Sequence, residues 1–190
     1  MSKLLVGFAL SAFTLFTACN NNNNKSVSSN KMVDSSATAI QRVNPFTSPV
    51  NGLLRIYLQM KNDFVNDDSK GAATVGKTMV RAINEFDKSI LRDDEKKIFE
   101  DLTADAKENA EHIGENAGDI KQQREHLEKL SKDMYELVKK SAAGELIYVN
   151  YCPMYNDKKG AIWLSETIEI KNPYFGKGML TCGNVTETIK

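Results

Sequence analysis

The chain has 190 residues, enough for one ordinary domain with flanking segments, and its 25 basic residues balance 25 acidic ones. That balance leaves no electrostatic footprint for nucleic acid and no polybasic support for holding a membrane surface.

Lys3 is a positive start, Leu4 to Phe16 is almost wholly apolar, and Thr17-Ala18 puts small residues before Cys19. Such a run suits the core of an export signal and is short for a bilayer span. Phe16-Thr17-Ala18-Cys19 resembles a lipobox, with Phe where the pattern usually carries an aliphatic residue. The resemblance implies a signal peptide over residues 1–18, cleavage before Cys19, and a covalent lipid on Cys19. Several acyl chains anchor stably where one does not. The alternative is an ordinary secretory signal with an incidental cysteine. Residues 19–45, with asparagine from Asn20 to Asn24, then read as an Asn/Ser-rich disordered tether. As a flexible coil of about 25 residues its root-mean-square reach is roughly 25–30 Å. No acidic cluster follows Cys19. The expected location is the cell envelope, lipid-anchored to a membrane and facing the periplasm.

Residues 46–190 form the expected domain. After Pro49, Val50, Leu53, Leu54, Tyr57, Leu58 and Phe64 recur at helical spacing. Asp67-Asp68-Ser69 breaks the run and offers caps for a second helix, striped by Ala72, Gly76, Met79, Ile83, Phe86 and Ile90. Asp93-Asp94-Glu95 suits the start of a third, lined by Phe99, Leu102, Ala106, Ala110 and Ile113. Gly114 to Gly118 is a break. A fourth helix is expected over about 119–143, with the stripe Ile120, Leu127, Leu130, Met134, Leu137 and Ser141, and Gly144 as its cap. The fold class is therefore mainly α: an antiparallel bundle of about four helices over residues 49–143. A small region of short β-strands and turns follows over 144–190: Leu146–Val149, Ala161–Leu164 and Thr167–Ile170 have strand character, and Asn172-Pro173 marks a turn.

With Cys19 assigned to the anchor, Cys152 and Cys182 remain for the fold. Tyr151-Cys152-Pro153-Met154 and Met179-Leu180-Thr181-Cys182 each hold one thiol and one thioether. On an extended chain Cys152 and Met154 share a face, whereas Met179 and Cys182 converge only through a turn. Two thiolates and two thioethers form a soft set that selects Cu(I) over oxygen-seeking cations. The competing reading is a Cys152–Cys182 disulfide, permitted in an exported compartment. It would close a loop of about 30 residues, stabilise by roughly 3–4 kcal/mol in the entropy model, and leave both methionines as core filler. The two states can also alternate.

His126 flanks the apolar stripe of the fourth helix and is a candidate nitrogen ligand or a half-buried, hydrogen-bonded residue. His112, among Glu108, Glu111 and Glu115, reads as a surface histidine. Arg124 is expected to pin a carbonyl or carboxylate of the tail. Trp163, Tyr174 and Phe175 are expected where tail meets bundle. No Ser-His-Asp context, phosphate-cradling glycine loop, HExxH or CxxC motif stands in the chain, so an enzyme is not expected.

Tyr151-Cys152-Pro153-Met154, Gly160-Ala161, Trp163-Leu164-Ser165, Ile170, Asn172-Pro173-Tyr174-Phe175-Gly176, Met179 and Cys182-Gly183 resemble the C-terminal signature of domain of unknown function 3347. Asp119-Ile120, Gln123-Arg124 and Leu130-Ser131 resemble its helical segment, so the resemblance runs over about residues 50–189. That family occurs as stand-alone exported proteins and fused to periplasmic adaptor subunits of heavy-metal efflux systems. The resemblance implies binding of copper or a related soft metal, with an efflux adaptor or pump as partner. It moves the reading of the cysteines toward a metal site and implies no reaction.

Overall fold

The computed structural model describes residues 47–141 and 144–190. The signal peptide, Cys19 and the tether, residues 1–45, lie outside the described residues. Helix α1 spans Thr47–Val65 and buries Val50, Leu53, Leu54, Tyr57, Leu58 and Phe64, the stripe read from the sequence. Helix α2, Ser69–Glu85, starts where the Asp68 side chain accepts from the Gly71 backbone N–H at 2.9 Å. That bond satisfies one of the donors a helix start leaves free. Helix α3 spans Asp93–Glu115 and helix α4 Ile120–Ser141. Each helix packs on the next, and α4 closes onto α1. The core is continuous from Leu54 and Phe99 through Leu130 and Met134 into the tail at Trp163 and Tyr174. No helix among the described residues is long and apolar enough to cross a membrane.

The tail forms strands β1 (Ile147–Cys152), β2 (Ala161–Ser165) and β3 (Asn184–Ile189) in one antiparallel sheet of order β2-β1-β3. β2 packs on α4 and touches α1. Cys152 stands opposite Ala161, and Asn150 opposite Trp163. A bulge at Thr186 shifts the β1–β3 register, and the Thr186 hydroxyl donates to the Val149 carbonyl at 3.1 Å.

Three sequence expectations are corrected. Thr167–Ile170 is a bend and not a strand, and Ile168 is 68% exposed. Two local pulls turn the chain there. The Ser165 hydroxyl accepts from the Thr167 N–H, and Glu166 is drawn to Lys61 and Asn62 of α1 at 2.8 and 3.0 Å. The place beside β1 is taken by β3, whose six residues were not read as a strand. Ile90 is exposed because α2 ends at Glu85 and Lys88–Ile90 is a separate 3-10 turn. Finally, Cys152 and Met154 do not share an extended face. Pro153 has no N–H to continue the ladder, β1 stops at Cys152, and Met154 has helical backbone angles.

Candidate functional site

Cys152 is the last residue of β1 and is fully buried. Cys182 precedes β3 in a turn closed by its own backbone N–H to the Met179 carbonyl at 3.1 Å, which supplies the reversal that the Met179/Cys182 offset requires. The two sulfur atoms stand 3.2 Å apart, and both cysteines are free thiols. The shared S–H hydrogen bond, and then burial, push the Cys182 thiol above its ordinary pKa. Gly183 lets this approach happen. Its φ is +140°, and an added Cβ would stand 2.8 Å from the Trp163 ring and 2.9 Å from the Tyr151 carbonyl.

Buried Asn172 clips the turn to the domain. Its backbone N–H donates to the Leu180 carbonyl and its side-chain amide to the Cys182 carbonyl, each at 2.7 Å. Its side-chain oxygen accepts from the Tyr174 and Phe175 N–H groups at 2.8 and 3.2 Å. The base of this clip is pinned by Arg124. That side chain donates to the Pro173 carbonyl at 2.8 Å, the Phe64 carbonyl at 3.0 Å and Asp67 at 2.6 Å, as its place among aliphatic helices suggested. Trp163 and Tyr174 meet edge to face at 6.0 Å in the core between tail and bundle.

The methionines are not core filler. Met154 is 48% exposed and Met179 42%, with exposed Leu180 beside Met179 in the cysteine turn. Large apolar side chains are usually hidden, so two half-exposed thioethers beside two thiols are informative. Asn150 shares the β1 face of Cys152, and its two side-chain polar atoms are buried without a hydrogen-bond partner among the described residues. The Trp163 indole N–H, on the facing strand, is in the same condition.

His126 shares a groove with Met154 and with neither cysteine. It lines a groove of about 750 Å³ between α4 and the β1–β2 connection, together with Met154, Tyr155, Phe175, Glu125 and Glu128. Its ring stacks on His112 at 4.4 Å, and its Nδ1 lies 3.2 Å from the Asn109 side-chain oxygen. Burial, followed by the nearby His112 and Lys129 charges, holds its pKa below the ordinary imidazole value. His112 is thus a stacking partner as well as a surface residue, which its acidic neighbours in sequence gave no sign of. Asn156, Asp157 and Lys158, on the rim of the groove, all have left-handed φ between 50° and 67°. Three such residues in a row are costly for L side chains. Asn156 is held by its amide on Glu128 at 3.0 Å. Among the described residues no group of three or more His, Cys, Asp or Glu side chains converges as for a metal ion, so a metal here would depend on the thioethers.

Comparison with known families places the helices. Residues 53–145 match the Protein of unknown function (DUF3347) family. The resemblance read from the sequence is therefore shown over this segment. It covers most of α1 and all of α2, α3 and α4, while the cysteine- and methionine-bearing tail lies beyond it. No curated protein and no solved structure matches the chain.

Proposed function

We propose that the tail binds a soft metal ion, best matched by Cu(I), and that the protein buffers it or passes it to an efflux adaptor or pump. The observation that carries this reading is the pair of free sulfurs 3.2 Å apart beside two half-exposed thioethers. Cys152 and Cys182 are the thiolate ligands, and Met179, in the same turn as Cys182, is the first thioether ligand. Met154 approaches from the groove side, and His126 in the same groove is the candidate nitrogen ligand. Two thiolates on one ion at about 2.3 Å would stand about 3.8 Å apart in a tetrahedral site, so the pair must open by roughly 0.6 Å.

We further propose that Cys19 carries the lipid and that the domain works tethered to a membrane in the envelope, facing the periplasm. Soft ligands on an exported, anchored domain suit delivery to a membrane-bound metal exporter.

Titration of the reduced full-length protein with Cu(I) against a competing chelator tests the binding. Expected is one tight site per chain, abolished by Cys152→Ser with Cys182→Ser and weakened about tenfold or more by Met179→Leu. Equal binding by wild type and the double serine variant sinks the reading. The second reading, a permanent disulfide staple on an interaction module, draws on the same sulfur contact. It predicts a quantitative Cys152–Cys182 bridge in protein from the native envelope under all growth conditions.

A further inference from the structure

We infer that Cys182 is a thiol–disulfide exchange site, with Cys152 as its resolving thiol, for a disulfide-bearing oxidant outside the chain. The two sulfurs differ in access. Cys152 is wholly buried at the end of β1, whereas Cys182 is partly exposed on the turn between Met179 and β3. Attack on an external disulfide needs access, so Cys182 makes first contact. Cys152 is reached through Cys182, whose sulfur is already 3.2 Å away. A disulfide requires about 2.05 Å, so closure takes a movement of roughly 1.2 Å. The moving part is a short turn beside Gly183, with its base clipped by Asn172.

The chemistry balances in two exchanges. The Cys182 thiolate attacks one sulfur of the external disulfide, whose S–S bond breaks, and the other external sulfur leaves as thiolate. The Cys152 thiolate then attacks the Cys182 sulfur of the mixed disulfide. The Cys152–Cys182 bond forms and the second external sulfur leaves. The two protein thiols give up two electrons and two protons, and the oxidant takes up both. The oxidant is a small disulfide or the disulfide form of a dithiol protein. Exposed Met179 and Leu180 give it an apolar place to land beside Cys182. The exchange itself is independent of metal. Its consequence, that oxidation removes both thiolates and closes the soft-ligand site, rests on the function proposed above.

The test uses the full chain with Cys19→Ser, so that only these two thiols react. It is reduced, exposed to oxidised glutathione, quenched with acid and weighed by mass spectrometry. Wild-type thiols are expected to give the internal disulfide, with loss of two hydrogens and a transient glutathione adduct. Cys152→Ser is expected to accumulate a stable adduct mapping to Cys182. Cys182→Ser is expected to react roughly tenfold or more slowly, because the remaining thiol is buried. Cys152→Ala serves in place of Cys152→Ser if the buried hydroxyl prevents folding, as judged by circular dichroism. Repeating the reaction with an oxidised CxxC protein separates a protein oxidant from a small one. Equal reaction of the two single variants, or a wild-type adduct that never resolves, overturns the inference. Ordered exchange in a protein whose reduced form ignores Cu(I) would leave the exchange standing and remove the metal reading. Undiminished Cu(I) binding after full oxidation would overturn the link between the two.

Discussion

Arg124 joins three segments that are remote in sequence: the end of α1 at Phe64, the connection at Asp67, and the tail at Pro173. Its side chain is 13% exposed, so the guanidinium has little water to fall back on. A lysine keeps the charge but cannot aim donors at two carbonyls and a carboxylate together. Arg124→Lys is therefore expected to lower stability by about 2 kcal/mol in urea unfolding, and a loss below about 0.5 kcal/mol, the ordinary range for surface changes, would contradict this account. The role of Arg124 was legible because a charge on an apolar helix needs partners. Trp163 was legible as core from its bulk. Asn172 was read as part of a turn, but not as the clip on Cys182, because its bonds to the Leu180 and Cys182 carbonyls join residues whose proximity only the fold creates. The exposure of Met154 and Met179 was likewise beyond sequence pattern, since methionine fills cores as readily as it faces solvent.

The helices were the most legible elements because their apolar residues recur at the helical period over four or more turns. Glycine at two helical positions shows what periodicity cannot say. Gly76 of α2 faces α3 so closely that an added Cβ would stand 2.8 Å from the Ala110 carbonyl and 3.0 Å from the Gly114 nitrogen. Gly52 of α1 has open space around the same position. Gly76→Ala is expected to push the helices apart and cost about 1–3 kcal/mol. Gly52→Ala is expected to stabilise by roughly 0.5–1 kcal/mol through backbone entropy alone. Thermal melting of the pair checks both signs. Equal effects would mean that α2 and α3 are not held at this distance. The strands were less legible. Asn184–Ile189 carries the β-branched residues Val185, Thr186, Thr188 and Ile189, a usable signal masked by its polarity. Thr167–Ile170 alternates well but loses its place to ties formed at Glu166 by residues about a hundred positions earlier.

At the scale of the whole molecule, carboxylates that link elements divide the acid range into two windows. Asp133 of α4 accepts from Asn109 of α3 at 3.2 Å. Burial is the main cause that raises its pKa from 3.8 to about 6, against a lowering by that hydrogen bond. The folded state thus binds this proton more tightly than the unfolded chain. Between about pH 4 and 6 this group makes stability fall as pH rises. Asp67 and Glu166 have the opposite sign. The Arg124 hydrogen bond, against some burial, holds the Asp67 carboxyl below its usual range. Burial raises Glu166, but the bonds from Lys61 and Asn62 outweigh it and hold it low. Their contribution is present above the ordinary carboxylate pKa and is lost as pH falls through the lowered values. Asp133→Asn keeps the shape and removes the titration. It is expected to flatten the pH dependence between 4 and 6 and to raise stability at pH 7. With Asp133 half in solvent, the gain is on the order of 1 kcal/mol. Below pH 4 the variant should lose stability in parallel with wild type, because the Arg124–Asp67 and Lys61–Glu166 ties that hold the tail to the bundle are untouched. Urea midpoints measured from pH 3 to 8 for both proteins read out each window. If the two curves keep a constant separation between pH 4 and 6, the α3–α4 seam does not hold Asp133 as described.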